Sequence, residues 1–336
     1  METNQELTHD EKTIYDRQIR VWGHAAQEKL KNSKVLVANL VSGSVSESLR
    51  HLALKGVMID ILDDRMLESK EELERQMSIH YLINEEQEGM KISEAFKQSL
   101  DKITQFAKIS VIEGDNLGAV KNLEEYSAII LGYNNFSETK DLPTDLEVPI
   151  VLAKSYGAVG VSFCHLGSSY SFTETLKIDN KDMTKTTIYN DSKPIKDWME
   201  HWLSFDKFTP KLLSRVRVKK KAKEDFIVAL LITFISESQG IDLSDAKSQV
   251  IDIFEKNNKG ALLEETSDLE KYLGDIKESY ITPEFHPVQS VLGGHLAQEM
   301  LKIVTKMGRP FYGLYLYNAV EQQGRSFPPT YLHNLV

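Results

Sequence analysis

The sequence predicts an α/β fold with a mostly parallel sheet, and three observations carry that reading. Apolar runs at Val35–Leu40, Val57–Leu62, Ile109–Ile112, Ala128–Leu131 and Ile150–Leu152 alternate with helical patterns, notably Lys91–Phe106. Strands that are apolar throughout need cover on both faces, which the helices of parallel crossovers supply. After Gly157 the pattern changes, because "VGVSFCHLGSSYSFTETL" has the serines, threonines and aromatics of antiparallel strands. Near the end a helical stretch, "HPVQSVLGGHLAQEMLKIV", and a strand-like one, "FYGLYLYNAV", bring the chain back to the same kind of layer. At 336 residues there is room for this domain and an insertion within it.

Taken in order, Thr8-His9-Asp10-Glu11 fits a capping box at a helix start. From there Tyr15, Ile19 and Trp22 recur at i, i+4 and i+7 and mark one apolar face, which Gly23 interrupts. A second helical piece runs from about Ala25 to Leu30. The first strand leads into the turn Val41-Ser42-Gly43-Ser44-Val45 and then a helix. Beyond "TETL" a polar connector extends through Lys193, followed from about Lys196 to Glu278 by a helical insertion containing the apolar "EDFIVALLITFI". In the returning helix Gly293 and Gly294 allow close backbone approach. The divisions are therefore 1–165, the N-terminal part of the domain; 166–280, connector and insertion; and 281–336, the C-terminal return.

Composition narrows the function. Acidic residues outnumber basic ones by 50 to 40, which argues against a general affinity for nucleic acid or anionic membrane. No apolar stretch approaches the roughly 20 residues of a membrane span. The polar start "METNQELTHDEK" has no signal-peptide core, so an intracellular location is expected. The single cysteine, Cys164, excludes an internal disulfide and a Cys-x-x-Cys zinc site, and no two of the nine histidines stand four apart. No protein-bound metal is expected.

Three places remain for chemistry. The turn around Gly43 stands where a dinucleotide fold has its glycine-rich phosphate loop, with Asp63 and Asp64 at a suitable distance for a ribose. It holds one glycine, and the β-branched Val41 and Val45 suit neither positive φ nor a backbone pressed against phosphate. Ser42, Ser44, Ser46 and Ser48 lack a Gly-x-Ser-x-Gly elbow and read as turn and helix-start hydroxyls. Cys164, in an alternating segment, reads as a small buried hydrophobe. In "IYDRQIRVWG" the inward face leaves Arg17 pointing outward, with Arg20 nearby at i+3. A solvated arginine and one that reaches another molecule both fit that placement.

The segment "YDRQIRVWG" resembles the N-terminal signature of the enzymes that activate ubiquitin-like proteins. "LKNSKVLVANL" continues the likeness into the first strand of their Rossmann-like adenylation domain, and "HPVQSVLGGHLAQEMLKIVT" resembles their closing helix. Length, insertion and "GVSFCHLGSSYSF" are most similar to the small, Aos-type subunits of the SUMO-activating branch. The similarity spans residues 8–165 and 281–318.

In that family an adenylation unit is a pseudo-symmetric pair of halves, of which generally one has a working ATP site. The resemblance places this chain as the other half. In "EELERQ", Arg75 and Gln76 match the family's nucleotide segment, but Glu72 and Glu74 replace its asparagines and would repel phosphate. Lys91 is the candidate for the family's lysine. After "SAIILG" the chain reads "YNNFSETK", with no acid before Glu138 where a magnesium-holding aspartate is expected. ATP and magnesium are thus expected in the partner, with Arg75, Gln76 and Lys91 a weak remnant in cis.

The resemblance further implies that Arg17 crosses to the partner's ATP, that Tyr15, Arg20 and Trp22 lie at the interface, and that Cys164 forms no thioester. Implied partners are the large catalytic subunit of the SUMO-activating enzyme and SUMO itself, in the nucleus and also the cytoplasm. Three alternatives stay open: the regulatory half of the Nedd-type activating enzyme, an NAD-binding oxidoreductase, and a non-catalytic scaffold. The basic run at 215–223 reads as a solvated helix face, with nuclear import or partner docking as the alternative.

Overall fold

In the computed structural model β1 (Lys34–Ala38) lies inside an eight-stranded sheet, flanked by parallel β2 (Met58–Leu62) and parallel β4 (Ala128–Gly132). The described residues are 6–133, 142, 146–178, 181–190, 243–257, 274, 284–319 and 322–327. Beyond β2 the parallel set ends with β3 (Ile109–Ile112); beyond β4 it continues to β5 (Ile150–Tyr156). From there the sheet turns antiparallel through β6 (Val159–His165), β9 (Gly313–Asn318) and β10 (Gln323–Phe327). The full order is β10-β9-β6-β5-β4-β1-β2-β3, so one sheet is assembled from both ends of the chain.

The strands are apolar throughout because both of their faces are buried. Val35, Val37, Ile59, Ile61, Ile130 and Val151 join one core cluster, while the alternate residues Leu36, Ile129, Leu152, Val161 and Leu316 are equally hidden on the opposite face. Two crossover helices cover the first face. In α6 (Ile92–Ile103), Ile92, Ala95, Phe96 and Leu100 make the inward stripe; α4 (Gly43–Ala53) is buried along nearly its whole length. The returning α8 (His286–Thr305) carries Pro287 in its first turn, where the missing amide costs nothing, and lies across α4. At the crossing, a Cβ on Gly293 would stand 2.4 Å from Glu47 Cβ and 2.8 Å from the Ser44 carbonyl oxygen. Gly294 meets nothing closer than 3.9 Å, so only one of the two expected glycines is needed for the approach.

The N-terminus forms three short helices, α1 (His9–Ile14), α2 (Asp16–Trp22) and α3 (His24–Lys31), and α5 (Lys70–Ile79) follows β2. The expected capping box is present: Glu11 N–H donates to Thr8 Oγ1 at 3.2 Å and Thr8 N–H to Glu11 Oε2 at 2.7 Å. The polar connector is not one throughout. Lys181–Asn190 forms β8, an antiparallel partner of β7 (Ser169–Ile178) in a separate ribbon, because its threonines and Tyr189 suit an extended chain better than a loop. Of the expected insertion, α7 (Leu243–Asn257) is described; "EDFIVALLITFI" and the basic run at 215–223 lie outside the described residues.

Candidate functional site

The strand order reverses at β1, whose neighbours leave to opposite sides. That leaves a crevice at its C-terminal end, where open α/β sheets take their ligands. The β1–α4 loop fills this place. Its left-handed residue is Asn39, at φ 53°; Val41 and Val45 keep ordinary φ. Gly43 is not left-handed either, and its missing side chain serves another purpose: a Cβ there would lie 2.2 Å from Gln289 Cδ. Gln289 comes from α8, and it shares a partner with the loop. Glu284 Oε2 accepts from Gly43 N–H at 3.0 Å, Ser42 Oγ at 3.2 Å, and Ser155 Oγ and Gln289 Nε2 at 2.7 Å each. The serine run is therefore structural: Ser42 belongs to this cluster, and Ser46 Oγ meets Nδ1 of the buried His80 at 3.0 Å.

The cations around the crevice are engaged in the same manner. Asp63 accepts from Leu40 N–H at 2.7 Å and holds Arg65 through both carboxylate oxygens, at 2.9 and 2.6 Å, so the acid a dinucleotide ribose would need is occupied. Lys91 Nζ donates to Asp64 at 2.9 Å, and Gly114 N–H adds a second bond at 2.8 Å. Lys91 and Gly114 hold the Asp64 carboxyl below its usual range. Arg75 clasps Glu72 at 2.8 and 2.7 Å, and Gln76 donates to the same carboxylate at 2.9 Å. Arg75 accordingly keeps Glu72 more acidic than an ordinary glutamate. The chain's own Glu72 thus neutralises Arg75 as well as repelling an incoming phosphate. Burial, with Arg65 beside it, pushes the His80 imidazole down to about 3, so it is neutral near pH 7. Arg65, Arg75 and Lys91 do not fit a polyphosphate as they stand, since each already has a carboxylate partner within the chain. Among the described residues no cluster of His, Cys, Asp and Glu is arranged to hold a metal ion.

At the other end of α4 the arrangement is different. Gln18 Nε2 donates to the Leu54 carbonyl at 3.3 Å and Gln27 Nε2 to the Lys55 carbonyl at 2.9 Å, which fastens α2 and α3 to the C-terminus of α4. Tyr15 is 4% exposed and meets Phe106 edge-on, at 6.3 Å between ring centres; burial and the Glu11 charge push its hydroxyl up to about 12. Trp22 packs against the core, its indole N–H on Gln27 Oε1 at 3.1 Å. With these side chains turned inward, Arg17 is exposed and has no hydrogen-bond or ion-pair partner among the described residues. Arg20 is paired with Asp16 at 2.7 Å.

A family model described as the ThiF family matches residues 15–334. The chain belongs to the ThiF family. This ThiF chain is 28% identical over 329 residues to SUMO-activating enzyme subunit 1 of Dictyostelium discoideum, covering 95% of this chain and 93% of that one. It is 26% identical to SUMO-activating enzyme subunit 1A of Arabidopsis thaliana, covering 95% and 96%. Against the DNA damage tolerance protein rad31 of Schizosaccharomyces pombe the identity is 24%, over 94% and 96%. Among solved structures, Escherichia coli MccB matches with a TM-score of 0.52 at 14% identity, covering 94% of this chain and 71% of that one. PaaA matches at 0.53 and 14%, covering 97% and 76%. At such identities the two structures support the fold alone.

In this ThiF chain the sequence-derived site residues divide. Arg17 is outward, with no partner among the described residues. Arg75, Gln76 and Lys91 surround the crevice but are held by Glu72 and Asp64. Of the residues expected at an interface, Tyr15 is buried within the chain itself, while Trp22 is half-buried against the core. The outward apolar residues of this region are instead Ile14, 51% exposed, and Val21, 77% exposed. They stand three before and four after Arg17, a spacing that was open to view in the sequence. Cys164 lies in β6, fully buried, and burial raises its thiol well above the ordinary value. Glu284 and Gln289 carried no local signal.

Proposed function

We propose that this chain is the small, Aos-type subunit of a heterodimeric SUMO-activating enzyme, supplying half of the adenylation fold and an arginine to a nucleotide site held by its partner. The observation that carries the reading is Arg17, without a partner among the described residues, on a helix held by Gln18 and, through Trp22, by Gln27 of α3, while the remnant cations Lys91 and Arg75 are paired in cis. Near-full-length similarity to proteins named SUMO-activating enzyme subunit 1 supports the branch. In the complex, MgATP bound by the large subunit would activate the C-terminal glycine of SUMO, which then passes to a cysteine of that subunit.

This chain's share is positional. A guanidinium delivered on a rigid helix places fixed positive charge where negative charge builds up on a departing pyrophosphate, and it needs no reorganisation at that moment. Ile14 and Val21, exposed on either side of Arg17, give a partner apolar surface to cover and so exclude water around the arginine. Cys164, buried and held as a thiol, is unsuited to accept the modifier.

The test is Arg17→Ala in the reconstituted heterodimer. ATP–pyrophosphate exchange falls by about 10²–10³-fold while the two chains still co-elute; undiminished exchange removes Arg17 from the mechanism. Residence in the nucleus and the cytoplasm follows from this reading and is checked by imaging the tagged chain.

A further inference from the structure

Four donors from three parts of the chain converge on a single oxygen, Glu284 Oε2: Gly43 N–H, Ser42 Oγ, Ser155 Oγ and Gln289 Nε2. Ser42, Ser155 and Gln289 are each at most 2% exposed, so the cluster is built into the core. The Gly43 amide opens the first turn of α4, the positive end of that helix, and lies at the sheet's switch point. Donors grouped in this way are suited to one oxygen of an anion. Here the anion belongs to the chain. His286 Nδ1 stands 2.8 Å from Gln289 Oε1 and fixes that amide from behind, and Lys154 adds a favourable charge. Burial raises the Glu284 carboxyl, while Ser155, Gly43 and Gln289 pull the other way.

We propose that Glu284 is a built-in anion that occupies the β1–α4 loop and closes it to external phosphate and pyrophosphate. A phosphate oxygen entering the crevice would need the same four donors and would meet a carboxylate already among them. The closure is also mechanical. Gln289 fills the space of the Gly43 side chain, so the contact that blocks the loop also seats the start of α8 on α4. The inference rests on the reading that this chain leaves the nucleotide to its partner, and it gives that reading a cause in named atoms.

The experiment uses the purified full-length chain and inorganic pyrophosphate as the probe, followed by calorimetry. Glu284→Ala and the nearly isosteric Glu284→Gln should each bind pyrophosphate at least about tenfold more tightly than the wild-type chain, since the competing charge is gone and the other donors remain. Folded variants that bind no better than wild type overturn the proposal. Should neither variant fold, glycine-selective ¹⁵N labelling of the wild-type chain decides. A Gly43 amide whose shift follows a carboxyl titration supports the contact, and one indifferent to pH overturns it. Gain of pyrophosphate binding together with an Arg17→Ala complex that exchanges normally would leave Glu284 in this role and remove the in-trans reading, so the two fail separately.

Discussion

The two ends of α4 treat polar side chains in opposite ways. At its N-terminus Glu284 satisfies the loop donors, Asp63 holds Arg65, Asp64 holds Lys91 and Glu72 holds Arg75. At its C-terminus Gln18 and Gln27 fasten α2 and α3 to backbone carbonyls, and α2 carries Arg17 outward with no partner among the described residues. The difference teaches which cations are scaffold and which are equipment. A charge neutralised within its own chain contributes to the fold; one left open on a well-anchored element, beside exposed apolar residues, is available to another molecule.

The most severe way to break this comparison is at Arg17. Alanine there should lower exchange in the complex by about 10²–10³-fold, equivalent to about 3–4 kcal/mol of transition-state stabilisation, and leave the melting temperature of the isolated chain unchanged. Alanine at Lys91 or Arg75 should leave exchange within about twofold, because each removes one half of an exposed or part-exposed internal pair. A loss at Lys91 as large as that at Arg17 would return the crevice to the nucleotide and dissolve the contrast.

The next effect concerns the closed end. Gly293→Ala drives a methyl group to 2.4 Å from Glu47 Cβ and 2.8 Å from a backbone oxygen, neither of which can retreat without moving α4. A loss of about 3 kcal/mol is expected in chemical denaturation, against less than about 0.5 kcal/mol for Gly294→Ala, which meets only His51 Nε2 at an ordinary contact of 3.9 Å. Equal costs at the two glycines would mean that α8 does not rest on α4 as described, and the Glu284 contact would lose its support.

Acid should weaken the same end. His80 is fully buried beside the loop with its imidazole pushed down to about 3, while in the unfolded chain it takes the ordinary value near 6.5. A depressed folded value means that the unfolded state binds the proton first. The stability tied to neutral His80 is therefore complete above about pH 6.5 and is lost as pH falls toward about 3. Across the single unit from pH 6 to pH 5 the loss is about 1 kcal/mol, read as the change in unfolding free energy of wild type relative to His80→Gln. A slope that persists in the variant would assign the acid sensitivity to other groups.

How far the sequence reveals this contrast depends on the distance between partners. The parallel strands and α6 were legible because burial on two faces, or on one stripe, writes itself into local periodicity. The capping box was legible for the same reason, as were the lone glycine of the loop and the outward placement of Arg17. The ribbon strand β8 reads as a connector because its sequence is mostly polar and Tyr189 is its one apolar side chain that packs against the core among the described residues. The pairing of Lys91 with Asp64 spans 27 residues, and that of Glu284 with Gly43 spans 241. No local pattern records such contacts. Tyr15 shows a further limit: an apolar stripe says that a face is covered, and only the three-dimensional arrangement says that here the chain itself covers this residue.

The smallest expected effect gives the finest test, because Arg20 has the same charge as Arg17 and lies one helical turn away. Its guanidinium pairs with Asp16 at 2.7 Å, both side chains being largely open to water at 76% and 49% exposure. Such an i, i+4 pair is worth about 0.3–0.5 kcal/mol, so Arg20→Ala should barely change the stability of α2. If Arg17 served the complex only by adding positive potential to this region, removing either arginine would slow exchange to a similar extent and rising salt would erase both effects. If instead Arg17 makes a defined contact with developing phosphate charge, Arg20→Ala leaves exchange within about twofold and Arg17→Lys recovers little of the activity, since an ammonium lacks the planar fork of a guanidinium. Matching losses at positions 17 and 20 would show that a charged surface, not one placed side chain, is what this end of α4 contributes.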